Sequence, residues 1–508
     1  MKLQSKLPVS VNSVRSITAC KCPCNLNFSL STSSKAFCLV IASLATTSAF
    51  ARFPETKSDI SNIVGVTHKD DLAGKTGIPI KPAQTPAQAA PAQDTSNGRA
   101  LPSPLPSPPF PNSDWLGFPL IGAPWTGAQS YPLEKALGAD KLGKDIHLYG
   151  WVNPSYNVSS SPYSNVPLSY DFVANKAEMD QSVIVFEKQP DTVQTDHQDI
   201  GFRFVGLYGT DYRYTMMKGV FSDQLLKYNR LYGFDPVEMY GMIYYPKVAE
   251  GMVLRIGRYI SPPDIEAQLT PDNYLFTHSL MFTVDPYTFM GINPMIRLSK
   301  QWEIMAQIHA GNDTAVWSNS AQANVGLLAR WASLDGKDGI WGGVNSIGSG
   351  KVVDQHDNLQ QLVATWGHKF NEKIHMMTEG YYMWEYDGNV GGTAVDGPAQ
   401  FGTGGGAGAF LPGKSDATGL VNYFQILTSP KDYISIRNDF LNDPRGYRTG
   451  YATAYSSHTI GYCRFITPMI MFRPEVRYEH AYADNVTPYN AGTRRDQWTI
   501  SADLIFRF

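Results

Sequence analysis

The sequence predicts an all-β protein: a transmembrane antiparallel β-barrel of about sixteen strands, with fourteen and eighteen also admitted, behind a disordered Pro-rich N-terminal segment. Three observations predict it. The final residues alternate between apolar and polar with a single exception. From residue 145 onward, tight turns alternate with long links. After residue 51 no run is long and apolar enough for a membrane helix, which needs ~20 residues.

The closing segment carries the pattern most clearly. Trp498, Ile500, Ala502, Leu504, Phe506 and Phe508 share one parity, while Gln497, Thr499, Ser501, Asp503 and Arg507 share the other, with Ile505 as the exception. Successive side chains of a strand point to opposite faces, so one face is greasy and the other polar. Apolar outward, polar inward and a terminal aromatic describe the closing strand of an outer-membrane barrel. Phe506 and Phe508 are then expected to form the signal read by the barrel-assembly machinery.

Composition agrees. The chain of 508 residues is 17% charged and 12% aromatic, with 44 Gly and 34 Pro. A barrel hides its lipid-facing residues among polar ones, so a low mean hydropathy is expected of it. The net charge of -3 favours neither nucleic acid nor an acidic surface as partner. Four of five cysteines (Cys20, Cys22, Cys24 and Cys38) lie in the first forty residues, leaving Cys463 alone. A metal knot at 20–24 lacks a second pair of ligands at suitable spacing, so no metal and no cofactor are expected.

In chain order, residues 1–51 read as a signal peptide. Lys35 precedes an apolar run from Ala36 to Ala45, and Ala49-Phe50-Ala51 is a small-x-small cleavage site. Residues 52–144 read as a Pro-rich periplasmic linker: Pro79, Pro82, Pro86 and Pro91 give way to Leu101-Pro-Ser-Pro-Leu-Pro-Ser-Pro-Pro109, extended and unable to build a core. Trp115 to Leu137 is more apolar and is expected under the barrel mouth. Residues 145–508 then give strands over 145–158, 179–189, 198–207, 237–246, 252–260, 288–299, 302–312, 321–333, 337–349, 357–370, 373–386, 418–428, 432–443, 453–465, 468–481 and 495–508. Short periplasmic turns and long external links (159–178, 208–236, 261–287, 387–417, 482–494) give the asymmetry of an outer-membrane barrel in a Gram-negative envelope.

Tyr149-Gly-Trp151, Arg255-Ile-Gly-Arg-Tyr259 with Ile265-Glu266, Asp439 through Gly446, and Arg473-Pro-Glu-Val-Arg477 occur in this order. With these motifs the chain resembles the OmpL-like putative beta-barrel porin-2 family over roughly 145–508. The resemblance implies an outer-membrane pore of poorly defined substrate. The Pro-rich preface and the Gly-rich run at 402–409 are not part of that pattern.

Charges on barrel strands indicate which face is wet, because a charge on the lipid face costs ~2–4 kcal/mol near the midplane. Arg473, Glu475, Arg477 and Glu479 are therefore expected to line the lumen. So are Arg437, Asp439, Glu379, Glu385, Arg203, Arg255 and Arg297. They are either a mutually neutralising ladder or an electrostatic filter. The link 261–287 carries Asp264, Glu266, Asp272 and Asp285 among Tyr274, Leu275, Phe276, Leu280 and Phe282. It is expected to fold inward as a constriction loop, setting its acids against the arginine wall. A lid on the outer surface is the alternative.

Gly402 to Gly408 lacks the Lys-Ser/Thr sequel of a phosphate loop. Trp151, Trp302, Trp366, Trp384 and Trp498 are expected in interfacial girdles. The expected function is an outer-membrane porin: passive diffusion of small hydrophilic solutes through a water-filled, charge-lined lumen, with no enzymatic activity. Its partners would be the lipid bilayer, those solutes, the assembly machinery and, where it oligomerises, further copies of itself. The alternatives are a structural tether or adhesin on a barrel scaffold and, last, a barrel hydrolase using His480, whose neighbour Glu479 points the other way.

Overall fold

Each alternating run becomes a strand, and each strand pairs with its neighbours in the chain. The computed structural model describes residues 121–122, 131–138, 146–167, 170–221, 230–262, 264–353, 358–391 and 408–508. The predicted signal peptide, most of the Pro-rich linker and positions 402–407 of the Gly-rich run lie outside the described residues.

The strands are β1 Ile146–Ser159, β2 Ala177–Lys188, β3 Asp199–Gly209, β4 Gly233–Tyr245, β5 Met252–Ile260, β6 Thr288–Arg297, β7 Trp302–Asn312 and β8 Asn324–Ala332. They continue as β9 Asp338–Ile347, β10 Gln360–Lys369, β11 Ile374–Asn389, β12 Phe410–Ser429, β13 Asp432–Asp443, β14 Thr453–Thr467, β15 Ile470–Ala481 and β16 Asp496–Arg507. All pair antiparallel in sequence order, and β1 pairs β16 to close the barrel. At the seam Gly150 and Phe508 exchange backbone hydrogen bonds of 3.0 and 2.9 Å. Closure leaves no unpaired edge, the only way a sheet satisfies its backbone in lipid.

The outer surface is a belt of exposed apolar side chains, among them Ile184, Ile256, Ile292, Ile308, Leu327, Ile460 and Ile500. In β16 the parity holds throughout: Trp498 is 53% exposed, whereas Gln497 is fully buried and so is the exception, Ile505. Trp151 departs from the expected girdle. It shares the inward face of β1 with Tyr149 and Asn153, is buried, and donates its Nε1–H to Gln181 Oε1 at 3.1 Å. Parity, rather than residue type, decides its side.

Strand β12 starts at Phe410, well ahead of the expected 418. Pro412, Gly413 and Lys414 do not alternate, but an extended β11 reaching Asn389 pairs with this part of β12. The short turns all lie at one end, with both chain ends of the barrel, and the long links at the other.

Candidate functional site

The third long link, L3 (261–287), enters the barrel and runs along the inner wall formed by β11 to β15. An irregular segment at membrane depth must have its backbone polar groups satisfied by protein. The charged wall does this. Glu379 accepts from the Ile265 N–H at 2.7 Å, Glu475 from Phe276 at 2.9 Å and Thr277 at 3.2 Å, and Asp439 from Leu280 at 3.1 Å. Arg473 donates to the Thr270 and Asn273 carbonyls at 3.1 and 2.7 Å, Arg477 to that of His278, and Arg437 to that of Thr277. Wall acids thus take the loop's donors and wall arginines its acceptors. The alternating Arg-x-Glu-x-Arg-x-Glu of β15 serves that purpose as well as pairing with its own neighbours: Arg473 with Asp503, and Arg477 with Glu479 at 2.8 Å.

Glu266 is the densest pin. It accepts from the Ser279 N–H at 2.9 Å, the Ser279 hydroxyl, Tyr423 Oη at 2.6 Å and Arg437 Nη1 at 3.3 Å. Apolar side chains of L3 seat in gaps left by glycine. A Cβ on Gly461 would lie 2.4 Å from Leu275, and one on Gly419 2.6 Å from Met281. Tyr274 meets the ring of Tyr433 edge-on at 5.8 Å and hydrogen-bonds His375 Nε2 at 3.1 Å, close to the short-turn end. L3 therefore spans much of the barrel's depth.

The two ends of L3 meet the wall at a carboxyl cluster. Asp264 accepts from Tyr381 Oη at 3.0 Å and Asp285 from Gln361 Nε2 at 2.6 Å, and the two carboxyls face each other. Burial pushes Asp264 up to about 7 and Asp285 well above the usual carboxylate range, with their mutual repulsion adding to Asp285. Burial likewise pushes His278 down to about 3, where it stacks on Phe282 at 4.5 Å. Asp272 is buried in a single 3-10 turn, Thr270–Asp272.

The remaining residues singled out from sequence are buried elsewhere in the interior. Arg203 bridges Glu187 at 2.5 Å and Glu238 at 2.7 Å. Arg255 lies over the Tyr259 and Tyr240 rings at 4.4 and 5.2 Å and reaches Asn293 at 3.1 Å. Glu385 is buried toward the long-loop end of β11. Arg297 sits at the short-turn mouth and donates to the Ile121 carbonyl at 3.2 Å. There the preceding segment packs in: Tyr131 stacks on Tyr149 at 4.3 Å under the guanidinium of Arg507, and Glu134 holds His147 Nδ1 and the Leu148 N–H, both at 3.0 Å.

Two expectations need correction. The L3 acids are expected against the arginine wall; Glu266 does meet Arg437 there, whereas Asp264 and Asp285 meet Tyr381 and Gln361 instead of arginines. Nor are the inward charges bathed by solvent: Arg203, Arg255, Arg437, Arg473 and Arg477 are each at most 2% exposed. L3 and inward Val, Met and Tyr side chains cover the charges that alternation alone left to water. Sequence reasoning also missed Arg258, which pairs with Asp235 at 2.9 Å. Gly257 (φ +138°) breaks the alternation of β5 and turns Arg258 inward beside Tyr259, out of step with Arg255. The glycine seats of Leu275 and Met281 left no signal in the sequence.

A closed sixteen-stranded barrel with an apolar belt, a charged interior and an inward third loop is a porin-type β-barrel of the outer membrane. The chain belongs to the family described as "Putative beta-barrel porin-2, OmpL-like", whose sequence profile matches residues 145–508. Among solved structures it is similar to the anion-selective porin from Comamonas acidovorans (8% identity, 72% of this chain and 99% of that one, TM-score 0.46). It is also similar to OprB of Pseudomonas putida (10%, 75% and 100%, 0.45) and to the outer membrane channel DcaP of Acinetobacter baumannii (9%, 72% and 97%, 0.41). No curated protein matches the chain.

Proposed function

We propose that this protein is an outer-membrane diffusion channel for small hydrophilic solutes, with L3 seated in the lumen as its constriction. The short-turn end would face the periplasm, as in other outer-membrane barrels. The seating of L3 on the Arg/Glu ladder is the observation that supports this reading best. Sixteen strands enclose enough width for an aqueous path, and L3 occupies one side of it. Because inward charges are nearly unexposed in this conformation, passage needs L3 or the segment around Tyr131 to give way, so conduction is gated. Among the described residues, buried carboxylates outnumber buried basic side chains by nearly two to one, which favours cations.

The test is single-channel recording from the purified protein in planar bilayers under a KCl gradient. A reversal potential on the K⁺ side is expected, moving toward zero in D264N/E266Q. A protein that inserts and stays silent would instead favour a tether or adhesin built on a barrel.

A further inference from the structure

Ion pairing or dense hydrogen bonding accounts for most buried acids of this interior, and one group stands apart. Glu178 and Asp180 on β2 and Asp211 just beyond β3 lie together at the long-loop end of the barrel, where the Asp211 N–H donates to the Asp180 carbonyl at 3.2 Å. Asp180 owes its position to a bulge. The β1–β2 register jumps from Asn153↔Gln181 to Pro154↔Met179, so Asp180 is the extra residue and turns inward next to Gln181. Bulges re-aim side chains in this way. The backbone of Gly209 comes so near that a Cβ there would lie 1.9 Å from the Asp180 carbonyl. Gln181 Nε2 then ties Asp211 Oδ2 and the Gln268 carbonyl of L3 together, both at 2.9 Å.

What this corner offers is one-sided. Among the described residues both oxygens of Glu178 lack a donor, and beyond the Ser155 hydroxyl facing Asp180 so do those of Asp180. Asp211 faces the Thr210 hydroxyl besides the Gln181 amide, and among the described residues Gln268 Oε1 and Asn153 Oδ1 are also unengaged. Glu178 is 6% exposed and the other four less, and none of the three acids forms an ion pair among the described residues. Buried acids elsewhere in the barrel, such as Glu187, Asp235 and Asp503, have an arginine within 2.9 Å. Buried carboxylates are ordinarily paired because desolvation without a partner is costly. A group whose free atoms are all acceptors is matched by a cation that carries N–H donors. No His, Cys, Asp or Glu group among the described residues is arranged to hold a bare metal ion.

We propose that Glu178, Asp180 and Asp211, with Asn153 and Gln268 completing the cradle, form a subsite for the ammonium or guanidinium group of a small organic cation. The proposal rests on the channel reading and gives its solute a chemical class. The subsite lies at the long-loop end of β2 and β3.

Planar-bilayer recordings of the full chain in KCl test it, with n-butylammonium, guanidinium or tetraethylammonium added on the long-loop side. Butylammonium and guanidinium are expected to reduce the K⁺ current saturably. Tetraethylammonium, equally charged but without N–H, blocks far more weakly. The half-blocking concentration should rise roughly tenfold or more in E178Q/D180N/D211N, as loss of charge-assisted hydrogen bonds demands. E178Q alone should show a smaller rise in the same direction, in case the triple variant folds poorly. Equal block of wild type and E178Q, or equal block by all three cations, overturns the subsite. So does absence of block at neutral pH, which would mean that the acids hold protons. A barrel that carries no K⁺ current at all overturns the channel reading instead, so the two failures are distinguishable.

Discussion

Replacing Glu266 by Gln should loosen L3 without opening the barrel. The carboxylate accepts from the Ser279 N–H and hydroxyl, Tyr423 and Arg437. An amide keeps one acceptor and turns an N–H₂ toward groups that are themselves donors. Hydrogen bonds to a charged group are worth ~1.5–3 kcal/mol each. Arg437 keeps Asp439 at 3.5 Å, so the full penalty of an orphaned buried charge does not apply. A net loss of about 3 kcal/mol in seating energy follows from one to two such bonds. At about 1.4 kcal/mol per tenfold, the unseated fraction of L3 rises roughly a hundredfold. Single-channel recordings should then show frequent excursions to a higher conductance, and limited proteolysis should cut within 264–287 faster. The heat-dependent gel shift that reports the intact barrel should stay at its wild-type temperature. An E266Q channel as quiet and as protease-resistant as wild type would refute the claim that this carboxylate seats the loop.

Further outcomes follow from the same geometry. Arg473→Met removes the donor to the Thr270 and Asn273 carbonyls and leaves Asp503 buried without its arginine, which should cost about 3–5 kcal/mol and lower the unfolding temperature of the gel shift. Gly419→Val fills the seat of Met281 and should raise conductance noise as E266Q does, while the barrel itself still folds. For Asp264 the seated state holds its proton more tightly than the free acid, from 3.8 up to about 7, so that contribution is complete below about pH 4 and is lost as pH rises through 7. Excursions should therefore become more frequent from about pH 5 to about pH 8, and D264N/D285N should flatten the trend. Tyr131→Ala removes the ring stacked on Tyr149 beneath Arg507 and should raise the conductance of the short-turn mouth, read as a larger unitary current.

How much of this was legible in the chain differs from element to element. Alternation in β16 set which residues face lipid, down to Trp498 out and Gln497 in, because a strand has only two faces and the two solvents differ sharply. The same rule put Arg473, Glu475, Arg477 and Glu479 inside, since lipid tolerates none of them at depth. Their use was not legible. Which carbonyl Arg473 meets depends on a loop some two hundred residues away, and contacts at that separation leave no periodic trace. Trp151 and Arg258 show the limits from the other side. Residue type points Trp151 to the girdle against its own parity, and Arg258 lies beyond a glycine that resets the parity of β5.

The sequence by itself determined a barrel and its two faces, because alternation is local and the bilayer enforces it strand by strand. Only the tertiary structure decided what fills the barrel. L3, the glycine seats at 419 and 461, and the acids Glu178, Asp180 and Asp211 come together through closure of the sheet and a bulge in β2. No local pattern encodes those long-range meetings, since each is fixed by where the backbone finds partners for its polar groups away from water.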